Sequence, residues 1–132
     1  MLLPIKPICD PKKIRKNGTS IIFIQYCKSA EEKTLLNTEI AIPPQCWNRK
    51  VNRISNNLPA NFGSAEQLNK ELQRQIRLAE NIISFALLHK RTNPVKFVKA
   101  IYHPQFNMAG LEKAAKENPD SNSKTNRDFF SA

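Results

Sequence analysis

Long apolar runs are missing from this 132-residue chain. A helix that crosses a bilayer needs about 18 or more consecutive apolar residues, and no stretch approaches that. The opening Met1-Leu2-Leu3-Pro4-Ile5-Lys6 is too short and too broken by proline to read as a signal peptide, so a cytoplasmic setting is expected. Cysteine is scarce as well. Cys9, Cys27 and Cys46 are an odd number at wide spacings with no C-x-x-C pair, which fits a reducing compartment and argues against a disulfide framework. The two histidines, His89 and His103, lie far from the cysteines at no ligand-like spacing, so no metal site is expected. Negative charge is the other shortage: 11 acidic residues stand against 21 lysines and arginines, for a net charge of +10. An imbalance of that size in a chain of this length points to a polyanionic partner, a nucleic acid or an anionic membrane surface.

What the chain does contain is centred on residues 18–47, GTSIIFIQYCKSAEEKTLLNTEIAIPPQCW. Residues 20–28 are dense in β-branched and aromatic side chains, which suit a pleated, half-buried surface. After the polar break Ser29-Ala30-Glu31-Glu32, a second run from 33 to 42 ends at Pro43-Pro44, which cannot donate to a ladder. A β-hairpin with a turn of about four residues is the expectation. Side chains two apart share a face of a strand. Ile22, Ile24 and Tyr26, with Leu36, Thr38, Ile40 and Ile42, make the better core face. The opposite face, with Phe23, Gln25, Lys33 and Asn37, is the candidate working surface, alongside Ile21 and Leu35.

Basic residues flank the hairpin on both sides. Lys12, Lys13, Arg15 and Lys16 lead through an Asn17-Gly18 turn into the first strand, well placed for phosphate contact. Arg49, Lys50 and Arg53 follow Trp47, whose size and position favour a role as a core plug over a stacking platform. Residues 51–54 are expected as a short third strand. The proline-rich start, with Pro4, Pro7 and Pro11, reads as at best an edge strand or an extended arm.

Beyond the loop at 56–63, Ser64-Ala65-Glu66-Gln67 has the form of a capping box, and Leu68, Leu72, Ile76, Ala79, Ile83 and Leu87 recur at helical spacing. A helix from 65 to about 90 follows, about 39 Å long at about 1.5 Å per residue. A second stripe, Leu78, Ile82 and Phe85, calls for another partner. Thr92-Asn93-Pro94 opens a shorter helix that supplies it, with Val95, Val98, Ile101 and Tyr102 on one side. Lys90, Arg91, Lys96 and Lys99 form another basic cluster, for which a solvated face and a nucleic-acid role are equally open. Lys70, Arg74 and Arg77, diluted by Glu66, Glu71 and Glu80, read as a solvated face. Residues 108–116 suit a short helix, 117–126 a linker, and Asp128-Phe129-Phe130 the first residues of a further domain.

Taken together, Pro11-Lys12-Lys13-Ile14-Arg15-Lys16-Asn17-Gly18-Thr19-Ser20, the strand IIFIQYC, the segment LLNTEIAIPPQCWN, the later NLPANFGSAEQLN and the helix RQIRLAENIISFA resemble one family. It is the N-terminal arm-type DNA-binding domain of bacterial tyrosine recombinases, the phage-integrase-like site-specific integrases of mobile elements. Many members carry Gly where this chain has Glu39. The resemblance implies an α+β fold: a three- or four-stranded antiparallel sheet packed on a long helix, followed by a shorter helix. It implies an arm-type domain over 1–107 and a linker over 108–132 toward a core-binding domain. It also implies double-stranded DNA and other recombinase protomers as partners, with the open sheet face in the major groove. Phe23, Gln25 and Cys27 on one strand and Lys33, Leu35 and Asn37 on the next then face DNA. Gln25 and Asn37 suit adenine, and Lys33 suits guanine or a phosphate. Catalysis in this family needs a tyrosine nucleophile with arginines, a lysine and an H-x-x-R motif. His89 is followed by Lys90-Arg91-Thr92 and His103 by Pro104-Gln105-Phe106, so the chain by itself is expected to be catalytically silent. No cofactor or small-molecule substrate is expected. The competing expectation is a protein-interaction module that mediates recombinase assembly through the wide apolar face of the long helix.

Overall fold

The computed structural model describes residues 3–118. Strands β1 (Ile5–Cys9), β2 (Ser20–Cys27) and β3 (Lys33–Ile42) form an antiparallel sheet in the order β1-β2-β3. A long helix, α1 (Ala65–Leu88), crosses one face, followed by α2 (Pro94–Ile101) and α3 (Leu111–Glu117). This is the expected α+β architecture. Among the described residues no helix is long and apolar enough to cross a membrane.

The faces of β2 and β3 follow their alternation. Ser20, Ile22, Ile24 and Tyr26 are buried, while Ile21, Phe23, Gln25 and Cys27 are half-exposed. On β3, Leu36, Thr38, Ile40 and Ile42 are buried and Lys33, Asn37 and Glu39 exposed. The inner face and α1 make a continuous core in two clusters. In one, Ile24, Tyr26 and Leu36 meet Leu78, Ile82, Ile83 and Ala86 of α1, with Val95, Phe97, Val98 and Ile101 of α2 and Leu111 of α3. The other gathers Cys9, Ile22, Ile40, Ile42 and Leu72 around Trp47 and Ile54, so Trp47 is indeed a core plug.

One strand differs from expectation. The third strand of the sheet is the proline-rich Ile5–Cys9, while Arg53–Ile54 pairs only with Trp47–Asn48 in a separate two-stranded ladder, β5 with β4. Proline is tolerated at a sheet edge because its missing N–H can face outward, and β1 is one of the two edge strands. Residues 53–54 are held elsewhere: the Asn69 carboxamide of α1 accepts from the Ile54 N–H and donates to the Ile54 carbonyl, at 2.9 and 3.0 Å.

Helix ends follow local chemistry. Ser64 accepts from the Gln67 N–H at the start of α1, and Asn93 caps α2 in front of Pro94. At its other end α1 closes as a Schellman motif: the Lys90 N–H bonds the Leu87 carbonyl and the Arg91 N–H the Ala86 carbonyl. This puts Lys90 at φ 53°, a left-handed position that usually takes glycine.

Glu39 also has a left-handed backbone, at φ 62°, and the cause is a bulge. Ile21 pairs with Ala41 but Phe23 with Asn37, so Thr38, Glu39 and Ile40 stand together opposite Ile22. Two extra residues are an even number, and the inward and outward sets stay in phase on both sides. The Thr38 hydroxyl donates to the Ile22 carbonyl at 2.6 Å and accepts from the Ile40 N–H at 3.1 Å, while Asn37 Oδ1 accepts from the Glu39 N–H at 2.7 Å. Left-handed backbone costs an L-residue about 1–2 kcal/mol, partly offset by the entropy of an unfolded glycine. Glu39→Gly should therefore raise stability by about 0.5–1 kcal/mol, read from the urea midpoint, and a loss would show that the side chain holds the bulge.

Candidate nucleic-acid interface

The pairing register lays the outward side chains in rows across the sheet. Ile8, Phe23 and Asn37 form one row, Lys6, Gln25 and Leu35 the next, and Cys27 with Lys33 the last. Same-face positions along a strand are about 6.8 Å apart and neighbouring strands about 4.8 Å apart. Lys6, Lys33 and Asn37 are exposed, and Ile8, Phe23, Gln25, Cys27 and Leu35 half-exposed. None of the apolar members belongs to either core cluster. The Gln25 side chain makes no hydrogen bond among the described residues, so its carboxamide is available to a ligand. Asn37 is oriented by the bulge through its Oδ1.

The two flanking basic segments lie in different places. The loop between β1 and β2 is folded tightly: Asn17 Oδ1 accepts from both the N–H and hydroxyl of Thr19, and the Ser20 hydroxyl lies 2.9 Å from the carbonyls of Asp10 and Lys13. Its ordered backbone presents Lys12, Lys13 and Lys16 to solvent at one end of the sheet. Arg15, though exposed, is drawn back to the Thr19 hydroxyl at 3.0 Å. The second segment is on the helix side. Arg49 and Lys50 occupy the β4–β5 turn, with the Lys50 N–H bonded to Asn48 Oδ1, and Arg53 lines a groove with Lys70, Gln73, Arg74 and Arg77 of α1. Lys12, Lys13 and Lys16 thus adjoin the open face, and Arg53 does not.

The cluster at 90–99 is partly structural. Arg91 stacks over Phe97 at 4.2 Å and donates to the Asn118 carbonyl, and Lys99 Nζ donates to the Leu35 carbonyl at 2.8 Å on the β3 edge. On α1, Glu66 pairs with Lys70 and Glu71 with Arg74, as expected of a solvated face.

Lys6 and Ile8 are the members of the open face that sequence reasoning missed. The signal was there: Ile5, Pro7 and Cys9 alternate with them, and Pro7 and Cys9 point inward. The prolines left the segment open between an edge strand and an extended arm; it is the edge strand, and its faces were not assigned.

Behind the sheet lies a polar network. Gln75, 1% exposed, donates through Nε2 to the Thr38 carbonyl and to Glu71 Oε2, and its Oε1 accepts from the Tyr102 hydroxyl at 2.5 Å. Arg74 forks onto Glu71 and reaches the Pro104 carbonyl at 2.6 Å. Its hydrogen bond holds the Glu71 carboxyl below the usual range and in turn raises the Arg74 guanidinium. Burial raises the phenols of Tyr26 and Tyr102 and pushes the Cys9 thiol up to about 11, with Asp10 adding to the last. These are neutral groups at neutral pH, without the lowered pKa of an activated nucleophile. Among the described residues no cluster of His, Cys, Asp or Glu could hold a metal ion.

Both tyrosines have folded-state values above 10, so the folded chain holds their protons more tightly than the unfolded chain. Their contribution is fully present below pH about 10 and is lost as pH rises beyond it. In an alkaline titration followed by phenolate absorbance, ionisation of both should coincide with loss of helical circular dichroism. Smooth ionisation near pH 10 with the fold intact would refute this.

No protein-family model, curated protein or solved structure matches the chain.

Proposed function

We propose that this chain is a sequence-specific DNA-binding module of a tyrosine-recombinase-type integrase, acting in the cytoplasm on arm-type sites. The observation that supports this best is the open sheet face, where amide, apolar and lysine side chains stand in register beside an ordered loop of lysines. Three strands about 4.8 Å apart span roughly 10 Å, and a major groove about 12 Å wide admits such a ribbon. Phe23, Gln25, Lys33, Leu35 and Asn37 face the bases in this reading. Lys12, Lys13 and Lys16 meet phosphates along one strand. The module positions other recombinase protomers on DNA and does not itself cleave. Selection of bound sequences from a random double-stranded pool tests the proposal: a motif should emerge, and an unenriched pool would overturn specific binding.

One observation favours a protein contact as a second reading. Most of the wide apolar face of α1 is covered by the sheet and α2, but Leu87 and Leu88 at its end are 41% and 78% exposed. Self-association without DNA would support that reading.

A further inference from the structure

We infer that the open sheet face reads an A·T-rich core, with thymine methyl groups seated against Phe23 and Leu35. The inference rests on the DNA-binding proposal and adds the class of sequence recognised.

Phe23 of β2 faces Asn37 of β3, and Gln25 of β2 faces Leu35 of β3. Each of these two pairs therefore sets one carboxamide beside one apolar side chain, and the two exchange strands from one row to the next. In the major groove thymine offers its O4 acceptor next to a C5-methyl, and adenine offers the N7 acceptor and N6 donor that a carboxamide matches. A G·C pair offers no methyl and is read best by an arginine or lysine fork on O6 and N7. An amide with an apolar neighbour is complementary to A·T and leaves a G·C pair without its best reader.

Local geometry sharpens the match. Asn37 Oδ1 is committed to the Glu39 N–H, which leaves its Nδ2 donors for an acceptor such as thymine O4, with the methyl against Phe23. Gln25 is unconstrained and can pair in two-point fashion with adenine, the methyl of the opposing thymine meeting Leu35. The arginines of the flanking segments lie off these rows: Arg15 is bonded to Thr19, Arg49 is in the β4–β5 turn, and Arg53 faces α1. Lys6, at the far end of the Gln25 row from Leu35, and Lys33, in the third row beside Cys27, stand outside these two pairs. Rows about 6.8 Å apart along the strands correspond to about two base-pair steps of about 3.4 Å.

The test uses the whole chain and the site obtained by random-pool selection, with each thymine replaced in turn by deoxyuridine, which deletes only the methyl. The expected motif has A·T pairs over about four central positions. Two deoxyuridine positions about two steps apart should each weaken binding about fourfold, the effect of one methyl-sized burial. Leu35→Ala should remove the penalty at one of them and Phe23→Ala at the other. Both residues lie outside the core clusters, and should either variant nevertheless unfold, the deoxyuridine series on the unaltered chain decides alone. A selected motif with G·C pairs at its centre, or deoxyuridine tolerated everywhere, would overturn the A·T inference and leave DNA recognition standing. Absence of any DNA binding would overturn both.

Discussion

Ile24→Ala should cost the fold about 2–5 kcal/mol, while Gln25→Ala, one residue along the same strand, should leave stability within about 0.5 kcal/mol. Ile24 is 0% exposed and packs in the cluster that α1 and α2 build on the inner face, so truncation leaves a cavity that neighbours on three elements cannot collapse to fill. The Gln25 side chain looks outward between Lys6 and Leu35 and makes no hydrogen bond among the described residues. On DNA the order reverses. Gln25→Ala should lose about 1–3 kcal/mol on the preferred site and little elsewhere, the pattern of a base reader. Lys13→Ala should weaken all sequences alike and lower the salt slope by about one unit. Urea midpoints and binding across a panel of duplexes measure both. If Gln25→Ala unfolded the chain while Ile24→Ala did not, the faces would be reversed and the proposed interface wrong.

Affinity for DNA should fall by more than about a thousandfold between about 50 and 200 mM salt, for about six phosphate contacts at about 0.9 log units per contact per decade of salt. Five exposed lysines lie on or beside the proposed surface, Lys6, Lys12, Lys13, Lys16 and Lys33, with the exposed Arg15 in the same loop. The acidic residues lie mostly elsewhere. Glu66 and Glu71 are paired on α1, Glu32 pairs with Lys28 in the hairpin turn, and the Glu39 carboxylate at the bulge lies 3.8 Å from the His103 ring, an ion pair only when that ring is protonated. Glu39 in the outward set of β3 and Asp10 in the β1–β2 loop are the carboxylates nearest the proposed surface, and the lysines there outnumber them. A flat salt response in a titration of binding constants would rule out a phosphate-dominated interface.

The sequence by itself determined the two faces of β2 and β3, the turn between them, the capped start of α1 and the helical hairpin with α2. Each of these is a local signal: a period of two, a serine three residues before glutamine, an Asn-Pro before an apolar stripe. The outward identity of Phe23, Gln25, Lys33, Leu35 and Asn37 was legible for the same reason. Only the tertiary structure decided that Ile5–Cys9 completes the sheet and brings Lys6 and Ile8 onto the open face, because strand pairing depends on partners remote in sequence and prolines obscured the alternation. It also decided the bulge at Glu39, which sequence periodicity cannot register, since two inserted residues leave the inward and outward phases unchanged. The burial of Gln75 between Thr38 and Tyr102, and the diversion of Arg53 to α1, likewise follow from how the layers stack. A polar side chain is buried where distant groups satisfy it, and one-dimensional patterning holds no record of which groups those will be.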